Sequence, residues 1–142
     1  MSTHSGSIQR SFRLSRRTAD LLDEASDASG ETRNALTDRL LGEAVRTDRH
    51  PLIRFRSSED GRREPWLIGT RLRVRQVITT VRAHGGDIDI ASEYLGTAPT
   101  NVRAAVDYVA DFGDEIERDI ERAHEIERRE KERWERGRAA LT

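Results

Sequence analysis

Residues 8–14, IQRSFRL, alternate in the period of a half-buried β-strand, and the residues that follow, up to 51, hold no second strand to pair with it. Phe12 and Leu14 fall on one face, Gln9, Ser11 and Arg13 on the other, and Arg10 takes an inward position that an apolar residue would suit better. A lone strand leaves backbone N–H and C=O groups unpaired on both edges, and even a two-stranded ribbon is marginal without a layer beneath it. The pairing partner must therefore come from outside the segment. A second copy of the chain supplies it at once, because antiparallel pairing across a two-fold axis closes on itself.

The residues after the strand fit this expectation. Ser15 is an N-cap candidate, and Leu21, Leu22 and Ala25 make the apolar stripe of a helix over about 16–28, ended by Ser29-Gly30. Thr32 can cap a second helix in which Leu36, Leu40, Leu41, Ala44 and Val45 recur at three-to-four spacing until RTDRHP, where Pro51 cannot continue it. A strand and two short helices cannot bury their own apolar faces. Two copies can, with four helices beneath a shared ribbon. Gln9, Ser11 and Arg13 of both chains would then line a surface of the width that enters a DNA major groove, where Arg reads guanine and Gln reads adenine. A helical dimerisation module that touches no DNA would use the same apolar pattern.

On the stretch RSFRLSRRTADLLDEASDASGETRNALTDRLL, with FRLS, the helix-ending Gly and TRNAL at its core, residues 8–46 resemble the ribbon-helix-helix (MetJ/Arc, CopG-like) repressors. The resemblance implies base contacts by Gln9, Ser11 and Arg13. It also implies a phosphate clamp by the amides around Thr32, Arg33 and Asn34, where a helix N-terminus meets an anion. Arg10 and Thr18 depart from the usual pattern.

The second half changes character. LIRFR (52–56) alternates again, Asp60-Gly61 marks a turn, and PWLIG (65–69) reads as the returning strand. Val74, Val77, Ile78 and Val81 predict a helix that stops at His84-Gly85-Gly86. A short helix over about 88–95 follows, punctuated by Gly96, and another begins at Pro99 or Thr100 and reaches about Ala110. DIASEYLGTAPTNVRAAVDYV has the cadence of a helix-turn-helix, with Thr100, Asn101 and Arg103 exposed where recognition residues belong, although many helical hairpins share that pattern. With 52–68 as a preceding wing, the module reads as winged-helix-like. The stretch GRREPWLIGTRLRVRQVITTVR…ASEYLGTAPTNVRAAVDYVADFGDEI, about 61–120, is similar to a domain-of-unknown-function family of bacterial, especially actinobacterial, antitoxins. That resemblance implies a VapB-like antitoxin whose partner is a PIN-like ribonuclease toxin. It leaves open whether this half holds DNA, toxin or only itself.

From Asp114 the chain reads as one long charged helix with a thin stripe of Ile116, Ile120, Ala123 and Ile126. In antitoxins of this type a C-terminal segment lies over the toxin, so the resemblance makes Ile116, Ile120 and Trp134 contact candidates. Arg133, Arg136 and Arg138 around that tryptophan could occupy the place of a nuclease's metal cation. A solvated helix with i,i+4 ion pairs accounts for the same residues equally well.

Charge distribution says more than the net charge of −1. Residues 51–75 carry seven Arg against three acids, 76–110 two Arg against four, and 111–142 eight basic against eleven acidic groups. All but one of the 25 basic residues is arginine, which suits phosphate and base contacts but follows equally from codon usage. The absence of cysteine removes disulfides and thiolate metal sites and suits a reducing cytoplasm, and no apolar run has membrane-spanning length. His4, His50, His84 and His124 lie at no metal-ligand spacing, and there is no Gly-rich phosphate loop or nucleophile–base–acid set. No catalytic residue, metal or cofactor is expected.

The expected fold is mainly α: a ribbon-helix-helix at 8–48 after a disordered 1–7, and linker and first hairpin strand at 49–64. A winged-helix-like helix-turn-helix domain follows at 65–112, then a charged C-terminal helix at 113–142. The expected function is a cytoplasmic, homodimeric antitoxin that binds operator DNA and a PIN-like ribonuclease. The alternative is a stand-alone repressor without a toxin.

Overall fold

The structure is a computed structural model that describes residues 6–142, so the part of the expected disordered segment at 1–5 lies outside the described residues. The chain is mainly helical and forms two compact units, one ending at Gly42 and the other running Glu43–Thr142. Among the described residues no helix is long and apolar enough to cross a membrane.

The first unit holds helix α1 (Arg16–Ser29) and the beginning of helix α2 (Arg33–Arg49), inside which the unit boundary falls. Ser15 caps α1 as expected, its hydroxyl accepting from the Thr18 amide at 3.2 Å. Thr32 does the same for α2 through the Ala35 amide at 3.1 Å. The segment 8–14 carries no regular secondary structure, contrary to the strand expected there. A strand exists only through its ladder, and no described residue pairs with 8–14.

The second unit contains strands β1 (Ile53–Ser57) and β2 (Arg63–Leu67), then helices α3 (Val74–Ala83), α4 (Ile88–Leu95) and α5 (Pro99–Ala139). The strands pair antiparallel from Ile53↔Leu67 to Ser57↔Arg63, and Gly61 takes the left-handed turn position at φ 81°. Residues 49–64, read as a linker with one strand, thus also contain the start of the second strand. Thr70 ties the GTRL turn together, its Oγ1 donating to the Leu67 carbonyl at 2.8 Å and accepting from the Leu72 amide at 3.0 Å. That fold-back delivers Val74 to the core with no exposed surface.

Ile53 and Leu67 join Val74, Val77, Ala91, Val102, Ala105, Tyr108 and Ile116 in one buried cluster, so the hairpin is a wall of the core rather than a free-standing wing. α4 and α5 are joined through Gly96 in the left-handed conformation at φ 66°. The break expected between about Ala110 and Asp114 is only a kink: Phe112 leaves helical dihedrals (φ −128°, ψ 36°) and the helix resumes. The last turn of α2 packs at that kink. Arg46 grips Glu115 with both ends of its guanidinium and lies 4.9 Å over the Phe112 ring, and His50 Nε2 sits 2.7 Å from Asp111.

Candidate functional site

In the first unit Gln9, Ser11 and Arg13 are all exposed, and no hydrogen bond or ion pair among the described residues engages them. Phe12 and Leu14 are exposed as well, together with Leu21, Leu40 and Leu41 on the two helices. Among the described residues of this unit, Leu36 is the one large apolar side chain that is buried. Thr32, Arg33 and Asn34 stand at the start of α2, where the first amides have no partner within the helix. The Arg33 side chain is held by Asp23, Nε to Oδ1 at 2.6 Å, beside the backbone amides of the helix start.

In the second unit Thr100, Asn101 and Arg103 occupy the first turns of α5. Thr100 and Arg103 are exposed, whereas Asn101 is partly buried and spends an amide proton on Thr97 Oγ1 at 2.8 Å. Two of the residues expected to meet a toxin do not reach the surface. Ile116 and Ile120 are buried in the core, because the hairpin and α3 cover the face of α5 that carries them. They leave the set of partner-facing residues. Arg133, Trp134, Arg136 and Arg138 are exposed, as is all of α5 beyond Ile126.

Sequence reading did not single out the most organised polar cluster of the second unit. The Glu64 carboxylate, 2% exposed, accepts from Arg75 Nε at 2.7 Å and from the Ser58 hydroxyl, with Arg73 Nε at 3.3 Å and Arg122 Nη2 at 4.0 Å as ion-pair neighbours that do not hydrogen-bond to it. Arg122 also holds Asp60 and Asp119, each at 3.2 Å. Burial pushes the Asp119 carboxyl above its ordinary range against the pull of Arg122. Arg73 further lies 4.4 Å over the Trp66 ring, whose other neighbour is Arg56 at 5.1 Å.

This cluster forms the inner wall of a cleft of about 420 Å³ between the hairpin turn, the start of α3 and α5. Ala123 and Ile126 give it an apolar floor, and Glu59, Glu127 and Glu130 stand at its rim. Among the described residues no group of three or more histidines and carboxylates could hold a metal ion. Residues 64, 73, 75, 119 and 122 come together only through the hairpin and the return of α5, so no local pattern announces them.

Compared with protein-family models, with curated proteins and with solved structures, the chain finds no match in any of the three.

Proposed function

We propose that the protein is a homodimeric DNA-binding antitoxin that represses its own transcription and neutralises a PIN-like ribonuclease. One observation carries the dimer: a helical unit of about forty residues leaves Phe12, Leu14, Leu21, Leu40 and Leu41 in water and, among its described large apolar side chains, buries only Leu36. Units of that size seldom hold together without a partner. Covering each exposed side chain is worth about 1–2 kcal/mol, allowing for what is already buried.

The alternation at 8–14 places Gln9, Ser11 and Arg13 opposite Phe12 and Leu14, so a dimer that covers the latter presents the former together. Their free polar groups suit base edges, and the capped start of α2 suits a phosphate. The toxin partner rests on the sequence pattern at 61–120 alone, which no family model matches, and the exposed end of α5, with Trp134, is the segment available to it. The test is co-expression with the neighbouring gene, followed by mass determination of the purified complex. A complex of two copies of this chain with the nuclease agrees with the reading. Recovery of a monomer, with growth arrest unrelieved, contradicts it.

A further inference from the structure

The charges lining the cleft beside Glu64 do not balance. Arg73, Arg75 and Arg122 are matched by Glu64, Asp60 and Asp119, whereas Glu59, Glu127 and Glu130 have no cationic partner among the described residues. We propose that this cleft, with the face of α5 beyond it, is a docking surface for a protein segment that inserts an arginine or lysine side chain. The aliphatic stem lies on Ala123 and Ile126, and the cationic head sits among the three rim carboxylates.

Three observations select that occupant. An excess of carboxylate around an apolar floor matches a side chain that is greasy along its stem and cationic at its tip. Among the described residues the carboxylates form no group that could hold a metal ion, whereas an extended organic cation reaches several of them at once. The same face of α5 then continues past the domain. At 100° per residue Trp134 lies about 20° from Glu127 and about 40° from Glu130 around α5, and about 6 Å along the axis from Glu130. Trp134 is 66% exposed. A segment seated in the cleft covers this tryptophan with its next residues, and a small free polyamine leaves it bare. The surface lies wholly in the second unit and does not depend on DNA binding.

The test is a titration of the full-length, nitrogen-15-labelled protein with the peptide acetyl-Leu-Arg-Leu-Arg-Leu-amide, with its glutamate counterpart and with spermidine. The expected result is a saturable shift of the Asp60, Ala123, Ile126 and Glu130 amides and of the Trp134 indole with the arginine peptide only. Affinity should fall at least fivefold in the Glu127→Gln/Glu130→Gln double variant. Both positions are exposed, and an otherwise unchanged spectrum confirms that the variant is folded. Absence of saturable shifts at the cleft, equal affinity in the double variant, or an equal response to the glutamate peptide overturns the proposal. Spermidine reproducing the full pattern, Trp134 included, overturns the protein-segment occupant.

Discussion

Arg75 Nε donates to Glu64 Oε1 at 2.7 Å where the carboxylate keeps only 2% of its side-chain surface in water. With Arg73 and Arg122 also facing it, Glu64 is the shared counter-ion of three guanidinium groups. Glu64→Ala removes it and leaves like charges gathered at a partly buried site. The expected loss is about 3–5 kcal/mol, the usual result of deleting one partner of a buried ion pair. Urea unfolding read by circular dichroism measures it, and a loss below about 1 kcal/mol would mean that water replaces the carboxylate.

Asp119 behaves in the opposite sense. Burial raises its pKa above the ordinary 3.8 in the folded protein, so its neutral form is the one that folding favours. That contribution is complete below the ordinary value and is lost as pH rises through the raised one. Asp119→Asn stays neutral throughout. The variant is expected to be at least as stable as the parent at about pH 7, with the difference shrinking toward about pH 3. Urea midpoints of both proteins across that range give the answer, and a variant less stable than the parent at neutral pH shows that the Arg122 pair outweighs burial.

Two truncations separate the parts of α5. Ending the chain after Lys131 removes only exposed residues and is expected to leave the melting temperature of the second unit within a few degrees. Ending it after Gly113 removes Ile116 and Ile120 from the core and should unfold that unit. The shorter truncation should also abolish toxin neutralisation in a growth assay, and full neutralisation would move the contact away from Trp134.

The first unit offers a direct check on its assembly. Leu21 is about half exposed on α1, so Leu21→Asp costs little in a monomer and much in a dimer that covers it. Light scattering coupled to gel filtration should give twice the chain mass for the parent and a shift toward the chain mass for the variant. Equal masses for the two proteins would place Leu21 outside the interface.

Local chemistry was legible in the sequence and tertiary chemistry was not. Ser15, Thr32, Gly96 and the Asp60-Gly61 turn act on their immediate neighbours, and the helix ends and the hairpin fall within a residue or two of expectation. Phe112-Gly113 looked like a break because neither residue favours a helix, yet packing of Arg46 and His50 around Phe112 carries the helix across as a kink. Ile116 and Ile120 looked like a thin surface stripe because the hairpin that covers them lies some fifty residues earlier. The Glu64 cluster draws on three separate elements, and its charges read one by one as ordinary solvated residues. At 8–14 the pattern specifies which faces differ, but the described residues hold no pairing partner for the segment.

On the proposed function Gln9, Ser11 and Arg13 of two chains read DNA together, and fluorescence anisotropy with the DNA upstream of the protein's own coding sequence measures this. At one fixed salt concentration the parent should bind tightly and as a dimer. Arg13→Ala should lose about 1–3 kcal/mol for each of two symmetric contacts while keeping the dimer mass. Undiminished binding by Arg13→Ala would contradict the account.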